Sequence, residues 1–272
     1  MAAPVPCDSE RFGRLVRARR VWAIACVHGE AERLGVLHEH LARRFVQGDR
    51  LVYLGDVLGY GPDSAGAVDG VLAFRRAVLA ERTMFLGDVV LLRGSQEEMW
   101  QKLLELQFAP DARSVLGWML EHGVARTLAS YGIDVRTGEA AIREGVMALT
   151  RWTGTIRAAL EARPGHRQFM AALRRAAFTE PGGTLYVNAG VDPRKPLELQ
   201  RDVFWWGAGG DLLALEAPFA GFARVVCGYH RQRAGLVERP YTVSLDAGCG
   251  FGGPLVAACF APGGQILDRI EV

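Results

Sequence analysis

Lysine is nearly missing from this chain: of its 32 basic residues only Lys102 and Lys195 are not arginine. So strong a skew reads as the base composition of a genome rather than as selection for phosphate contacts. Long apolar runs are also missing. The longest, such as Val89 to Leu92 and Leu255 to Ala261, fall far short of the roughly 18 residues a membrane span requires, so no membrane partner is expected. Met1 to Arg20 carries no apolar stretch and becomes more basic as it proceeds, which is not the pattern of a secretory signal; the cytoplasm is the expected compartment. Five cysteines, Cys7, Cys26, Cys227, Cys249 and Cys259, include no C-x-x-C pair, and their odd number in a long chain argues for buried thiols rather than a disulfide framework. A net charge of +2 provides no whole-chain attraction to nucleic acid, and no RNA-binding motif or interleaved aromatics accompany the basic head, so a nucleic-acid partner is not expected.

What is present is the material of a globular domain. With 272 residues, half of them hydrophobic and 23% charged, the chain can bury about 70–75% of its unfolded surface and excludes a largely disordered state. Arg11, Arg14, Arg17, Arg19 and Arg20 are spaced to share one side of a short helix, a basic segment over residues 1–20 suited to an acidic partner. Val21 to Val27 then reads as a strand, Ala31 to Phe45 as an amphipathic helix with Leu34, Leu37, Leu41 and Phe45 on one face, and Arg50 to Leu54 as a second strand. Asp63 or Ser64 is placed to cap a helix running to about Glu81. A third strand, Val89 to Leu92, precedes a helix opened by Glu97 and Glu98. From about 97 to 178 apolar residues recur only at helical spacings, broken at Gly123, Gly132 and Pro164. Short strands return at Leu185 to Val187, Arg224 to Cys227, Tyr241 to Leu245 and Leu255 to Phe260. This order predicts an α/β chain, a layered β-sandwich flanked by helices, with residues 21–272 as one domain and a helical cap inserted near 97–178. Of the pair Trp205 and Trp206, core packing is the default, with one of the two available for the rim.

The polar loops fall just beyond the carboxyl ends of the expected strands, where α/β chains place function: His28-Gly29, Gly55-Asp56, Gly94-Ser95-Gln96-Glu97, Asn188-Ala189-Gly190, Gly228-Tyr229-His230 and Asp246-Ala247-Gly248. In order and spacing they resemble the serine/threonine phosphatases and diadenosine tetraphosphatases of the calcineurin-like metallophosphoesterase superfamily. Leu51 to Asp56, Gly61 to Ser64, Leu91 to Gly94, Glu97-Glu98, Arg163 to His166 and Gly252-Gly253 carry that resemblance over nearly the whole chain. It implies a two-metal phosphoesterase site, yet most of that site is replaced. Cys26 stands where the family has its first metal-binding aspartate, while His28 and the bridging Asp56 survive. Gly59 replaces the aspartate that orients the general acid, and Tyr60 the phosphate-clamping arginine. Ser95 and Gln96 replace an asparagine ligand and the acid histidine. Asn188 and Tyr229 replace two further histidine ligands; His230 lies one place beyond.

Two adjacent dications are held only by anionic and imidazole ligands, and of those implied here His28 and Asp56 alone remain. A neutral Cys26 thiol, with a reference pKa of about 8.5, brings no charge unless a metal deprotonates it. The loop-shaping glycines are intact while metal and phosphate ligands are gone, whereas undirected decay damages both. The reading that follows is a pseudophosphatase without a resident cofactor, whose groove of Cys26, His28, Asp56, Tyr60, Ser95, Gln96, Asn188, Tyr229 and His230, polar and no longer strongly charged, binds a protein or small-molecule ligand. The alternative is a phosphoesterase with a rebuilt site in which Cys26, His28 and Asp56, joined by His230 or Cys249, hold one zinc or manganese ion. In the metal-free protein His28 and Asp56 are expected to pair, raising the His28 pKa.

Overall fold

The computed structural model describes residues 10–207 and 209–272; Cys7 and the start of the basic head lie outside them. The strands are β1 (Phe12–Val16), β2 (Arg20–Ile24), β3 (Asp49–Tyr53), β4 (Val89–Leu91), β5 (Ala176–Glu180), β6 (Thr184–Val187), β7 (Arg224–Cys227), β8 (Val237–Glu238), β9 (Thr242–Ser244), β10 (Val256–Phe260) and β11 (Ile266–Glu271). They form a five-stranded sheet, β11-β10-β2-β3-β4, and a six-stranded sheet, β1-β5-β6-β7-β9-β8. Helices α1 (Ala31–Ala42) and α2 (Ser64–Leu79) follow β2 and β3. The expected cap is α3 (Ser95–Leu103), α4 (Ala112–Met119), α5 (Ala125–Ser130), α6 (Val135–Glu144), α7 (Val146–Glu161) and α8 (His166–Ala172), and a short α9 (Val203–Trp206) follows β6. The mixed α/β architecture of two sheets flanked by helices is therefore the one the sequence predicts, and no helix among the described residues is long and apolar enough to cross a membrane.

Alternation along the six-stranded sheet divides the core. Ala177, Tyr186, Val226 and Val243 join the main cluster with β2, β3, β10 and the helices. Their neighbours Phe178, Leu185, Val225 and Cys227 point to the opposite face, as the two-residue period requires, and pack with Phe12, Phe204 and Trp205. Trp205 is buried and Trp206 is 40% exposed, so the pair splits into core and rim. Cys26, Cys227, Cys249 and Cys259 are buried free thiols. Asp63 caps α2 by accepting from Gly66 N at 2.7 Å, as an N-cap aspartate does.

The basic head is corrected. Residues 12–16 form a strand paired in parallel with β5, and Arg14 forks onto Glu180 at 2.8 and 2.6 Å, while Arg20 pairs with Asp49 at 2.6 Å. Helical spacing of arginines was outweighed by pairing with β5, which buries Phe12 and Leu15 on opposite faces of the strand and leaves Arg14 and Val16 exposed. Strand β5 also starts inside the expected helical stretch. Its first four residues are all buried, so it shows no alternation to read.

Parallel pairing of β2 with β3 and β4, and of β6 with β7 and β9, brings six strand ends to one edge of the sandwich. That edge carries all six polar loops.

Candidate functional site

The site is organised around two buried carboxylates. Glu97, in the first turn of α3, accepts from four backbone donors: Asp56 N at 2.9 Å, Gly94 N at 2.8 Å, Val57 N at 2.8 Å and Leu58 N at 3.0 Å. It thereby ties the loop after β3 to the loop after β4. Burial, and next the nearby Asp56 carboxylate, push the Glu97 pKa up, while the backbone donors oppose that shift. Gly94 has no room for a side chain, because a Cβ there would overlap the backbone N and carboxylate of Asp56.

Asp56, fully buried and in the left-handed region at φ 49°, is surrounded by protein donors. Its Oδ1 accepts from Gln96 N at 2.8 Å and Ser95 Oγ at 3.1 Å. Its Oδ2 accepts from Asn188 Nδ2 at 3.1 Å and from the Cys26 thiol at 3.5 Å. Asn188 Nδ2 also donates to Leu54 O at 2.8 Å, and since a carbonyl can only accept, this bond sets the amide so that Oδ1 faces away from it. Three of the side chains at positions where the resemblance implies metal ligands, Cys26, Ser95 and Asn188, thus donate to the Asp56 carboxylate. Burial, followed by the charge of Asp56, holds the Cys26 pKa well above its ordinary value, so the sulfur keeps the proton it donates.

His28 differs. Its ring is 2% exposed, and among the described residues neither ring nitrogen has a hydrogen-bond partner, nor do Asn188 Oδ1 and Gln96 Oε1. It stands edge-on to Tyr60 at 5.6 Å and to Phe251 at 5.5 Å between ring centroids. Burial lowers its pKa despite opposing contributions from Asp56 and Asp246. His28 and Asp56 come within 4.8 Å of one another without a direct hydrogen bond, and the expected direction of the His28 pKa is reversed, because the ring loses more solvation than the carboxylates return. Gly59, at φ 140°, leaves the space the ring uses; a Cβ there would meet His28 Nδ1 at 2.9 Å and Gln96 Cγ at 3.1 Å. An aspartate at this position requires the ring to move.

The helical cap reaches the site at two points. Gln96 Nε2 donates to His122 O at 3.0 Å, where the backbone kinks at His122 and Gly123. Ser64 Oγ accepts from Gly59 N at 3.0 Å and contacts Thr127 Oγ1 at 3.2 Å.

Cys26, His28, Asp56, Ser95, Gln96 and Asn188 converge on one spot, with Tyr60 against His28. Tyr229 adjoins them, its N donating to Asn188 O at 2.9 Å. His230 turns away: its Nε2 meets Asp211 Oδ1 at 3.0 Å, and it lines a separate cavity of about 610 Å³ with Trp206 and Tyr229. Cys249 is directed to Val27 O at 3.3 Å. Neither joins Cys26, His28 and Asp56, whose ligand atoms all lie within 4.8 Å of one another. One ion suits this trio, since a neutral His28 ring keeps one lone-pair nitrogen with no partner among the described residues, while the Asn188 amide turns its Nδ2, and not its oxygen, toward Cys26 and Asp56. A second does not, because the Oδ1 side of Asp56 is occupied by the Ser95 hydroxyl and the Gln96 amide.

Three contributors escaped the sequence reading of site residues. Glu97 was visible only as an acid opening a helix, and Asp246 only as a loop residue; its carboxylate accepts from His230 N at 2.8 Å and Gly248 N at 2.9 Å. Arg233 gave no signal. It lies in the left-handed region at φ 49°, with its guanidinium carbon 3.4 Å from the Phe251 ring centroid, and Phe251 packs 4.4 Å from Tyr60. Its charge acts on Tyr60, Tyr229, His28 and Asp246. Arg233 and Asp246 thus add two charges beside Asp56 to the residues expected to line the groove.

No family model and no curated protein matches the chain. Solved structures do. A candidate diadenosine tetraphosphatase aligns at 21% identity and TM-score 0.56, over 96% of this chain and 97% of that one. A protein serine/threonine phosphatase from Saccharomyces cerevisiae aligns at 12% identity and TM-score 0.50, over 94% and 78%. The cold-active protein-tyrosine phosphatase of a psychrophilic Shewanella species aligns at 10% identity and TM-score 0.53, over 98% and 85%. At these identities the likeness establishes a phosphatase-like fold, and function is argued from the site.

Proposed function

We propose that this chain is a metallophosphoesterase-like pseudophosphatase, a cytoplasmic binding or regulatory protein built on the phosphatase scaffold. The observation that carries this reading is the saturation of Asp56 by Ser95, Gln96, Asn188 and Cys26. In place of a carboxylate that bridges two ions stands one solvated by neutral donors, so hydrogen bonds within the fold take over the solvation that metal would supply. The general acid and the clamp at position 60 are missing as well, each a loss on the order of 10²-fold or more in rate. The retained groove, with Tyr60 and Tyr229 as rigid aromatic walls and Arg233 as a cation beside them, suits an anionic or acidic ligand that is bound and not cleaved.

A second reading has its own observation, the Cys26, His28 and Asp56 trio with the unpartnered nitrogens of His28. This set suits a single zinc, with manganese the less thiophilic option. One such ion would supply Lewis acidity to a phosphoesterase that lacks its second metal.

Elemental analysis of protein purified without chelator separates the two, paired with a manganese-supplemented assay on p-nitrophenyl phosphate, a phosphopeptide and diadenosine tetraphosphate. No metal and no turnover above the doubly substituted Cys26→Ala, Asp56→Ala protein is the expected result. One zinc with turnover establishes the second reading, and two ions per chain would sink both.

A further inference from the structure

The edge strands of the two sheets, β1 and β4, meet at a seam on one side of the sandwich. Gly13 allows the approach, since a Cβ there would lie 2.6 Å from a Val90 methyl. Residues 174–175 strap the seam, Arg174 N donating to Leu91 O and Arg175 N to Arg11 O, both at 2.8 Å. Beside the strap opens a cavity of about 330 Å³ whose lining includes Phe12, Arg14, Arg75, Leu86, Val90 and Arg174 and no carboxylate.

The charges here do not balance. Arg14 is met by Glu180, but Arg75 and Arg174 have no ion-pair partner among the described residues. Arg174 Nη1 reaches only the carbonyls of Ala172 at 3.1 Å and Leu173 at 3.4 Å, and Arg75 Nε is buried without a hydrogen-bond partner. Asp88, beside the cavity in sequence, is taken by Arg50 at 2.7 Å and by Phe85 N at 2.8 Å. Burial, and next the charge of Arg174, lower the Arg75 pKa. Two guanidiniums in a half-buried cavity repel one another and are poorly solvated. An anion between them removes both costs, and the planar forks of arginine match two-oxygen heads.

We propose that this cavity binds a small amphipathic oxyanion, its phosphate or carboxylate head held by Arg75 and Arg174 and a short apolar body laid against the exposed Leu86 and the edge of Val90. The volume, near the lower end of ligand cavities at about 300–1,000 Å³, admits a body of a few carbons and no long chain. Strand β4 lies between this site and the groove: it lines the cavity, and its carboxyl end leads to Gly94 and Ser95.

The test uses the full chain, titrated with inorganic phosphate, hexyl phosphate and hexanoate at ionic strength matched with sodium chloride. Binding is followed by the arginine Nε–Hε resonances and by thermal unfolding. A saturable shift of the Arg75 signal with a rise in Tm is expected, and Arg75→Gln or Arg174→Gln should weaken the midpoint about tenfold, the effect of losing one charged hydrogen-bonding group. In ligand-free buffer Arg75→Gln should unfold no earlier than the wild type, because one of two repelling charges is gone. Equal response to hexyl phosphate and hexanoate means recognition of any oxyanion head, and response to the two phosphates alone means a phosphate site. The absence of a saturable shift with all three probes in the wild-type protein overturns the proposal, as does a midpoint unchanged in both variants. The wild-type titration decides the matter even if a variant fails to fold.

Discussion

The two sides of Asp56 are built differently. On the Glu97 side, four backbone donors converge on one carboxylate, and the loops after β3 and β4 are locked. On the His28 side, two ring nitrogens, Asn188 Oδ1 and Gln96 Oε1 have no partner. One half of the site is a closed hydrogen-bond frame; the other holds buried polar atoms with no partner among the described residues. Such a frame beside unpartnered groups would give the proposed binding role a shaped floor.

The sharpest way to break this comparison is Glu97→Ala. It leaves four buried N–H groups without an acceptor, and at about 1–3 kcal/mol for each unsatisfied group the expected loss is about 5 kcal/mol or outright failure to fold, measured by urea unfolding. A loss under about 1 kcal/mol would show that other contacts hold the loops.

The next effect has to be separated from the site before any acid sensitivity is assigned to it. His38, stacked on Phe74 at 4.2 Å and bonded to Tyr53 Oη at 2.8 Å, has its pKa lowered by burial to about 4. Its unfolded value is about 6.5, so between these values the unfolded chain holds more protons. Stability from the neutral ring is complete above pH ~6.5 and is lost as pH falls through ~4, for a total of about 3 kcal/mol. His38→Gln should flatten unfolding free energy over that window, and an unchanged slope would assign the acid response to other groups.

The smallest effect tests the His28 side. Asn188→Ala removes one donor from Asp56 and the partner of Leu54 O, at an expected cost of about 2 kcal/mol in metal-free protein. If Asn188 serves as a fourth ligand to an ion, the variant should also weaken zinc binding. Unchanged stability would mean that Asp56 does not depend on neutral donors.

Much of this was legible in the sequence. Six loops at strand ends, the capped α2 and the helical cap follow from local periodicity, punctuation by glycine and capping chemistry. The residue types at the positions where the resemblance implies metal ligands are visible directly. Strands β1 and β5 were not legible, the first because its arginines mimic helical spacing and the second because burial on both faces leaves no pattern. Arg233 was invisible because its place depends on a left-handed turn and on Phe251, and not on its own neighbours in the chain.

By itself, the sequence determined the order of seven strands, β2, β3, β4, β6, β7, β9 and β10, with the loops that follow most of them and the chemical groups each loop offers, because those depend on residues a few positions apart; β8 and β11, like β1 and β5, were not read. Only the tertiary structure decided which groups meet. Asp56 and Asn188 are separated by 132 residues, and whether the amide donates to the carboxylate or turns its oxygen to an ion depends on Leu54 O, which fixes the flip. The direction of the His28 pKa was decided there too, since desolvation depends on everything packed around the ring. So was the unbalanced pair of Arg75 and Arg174, where two sheet edges and residues 174–175 close on a cavity that no local pattern describes.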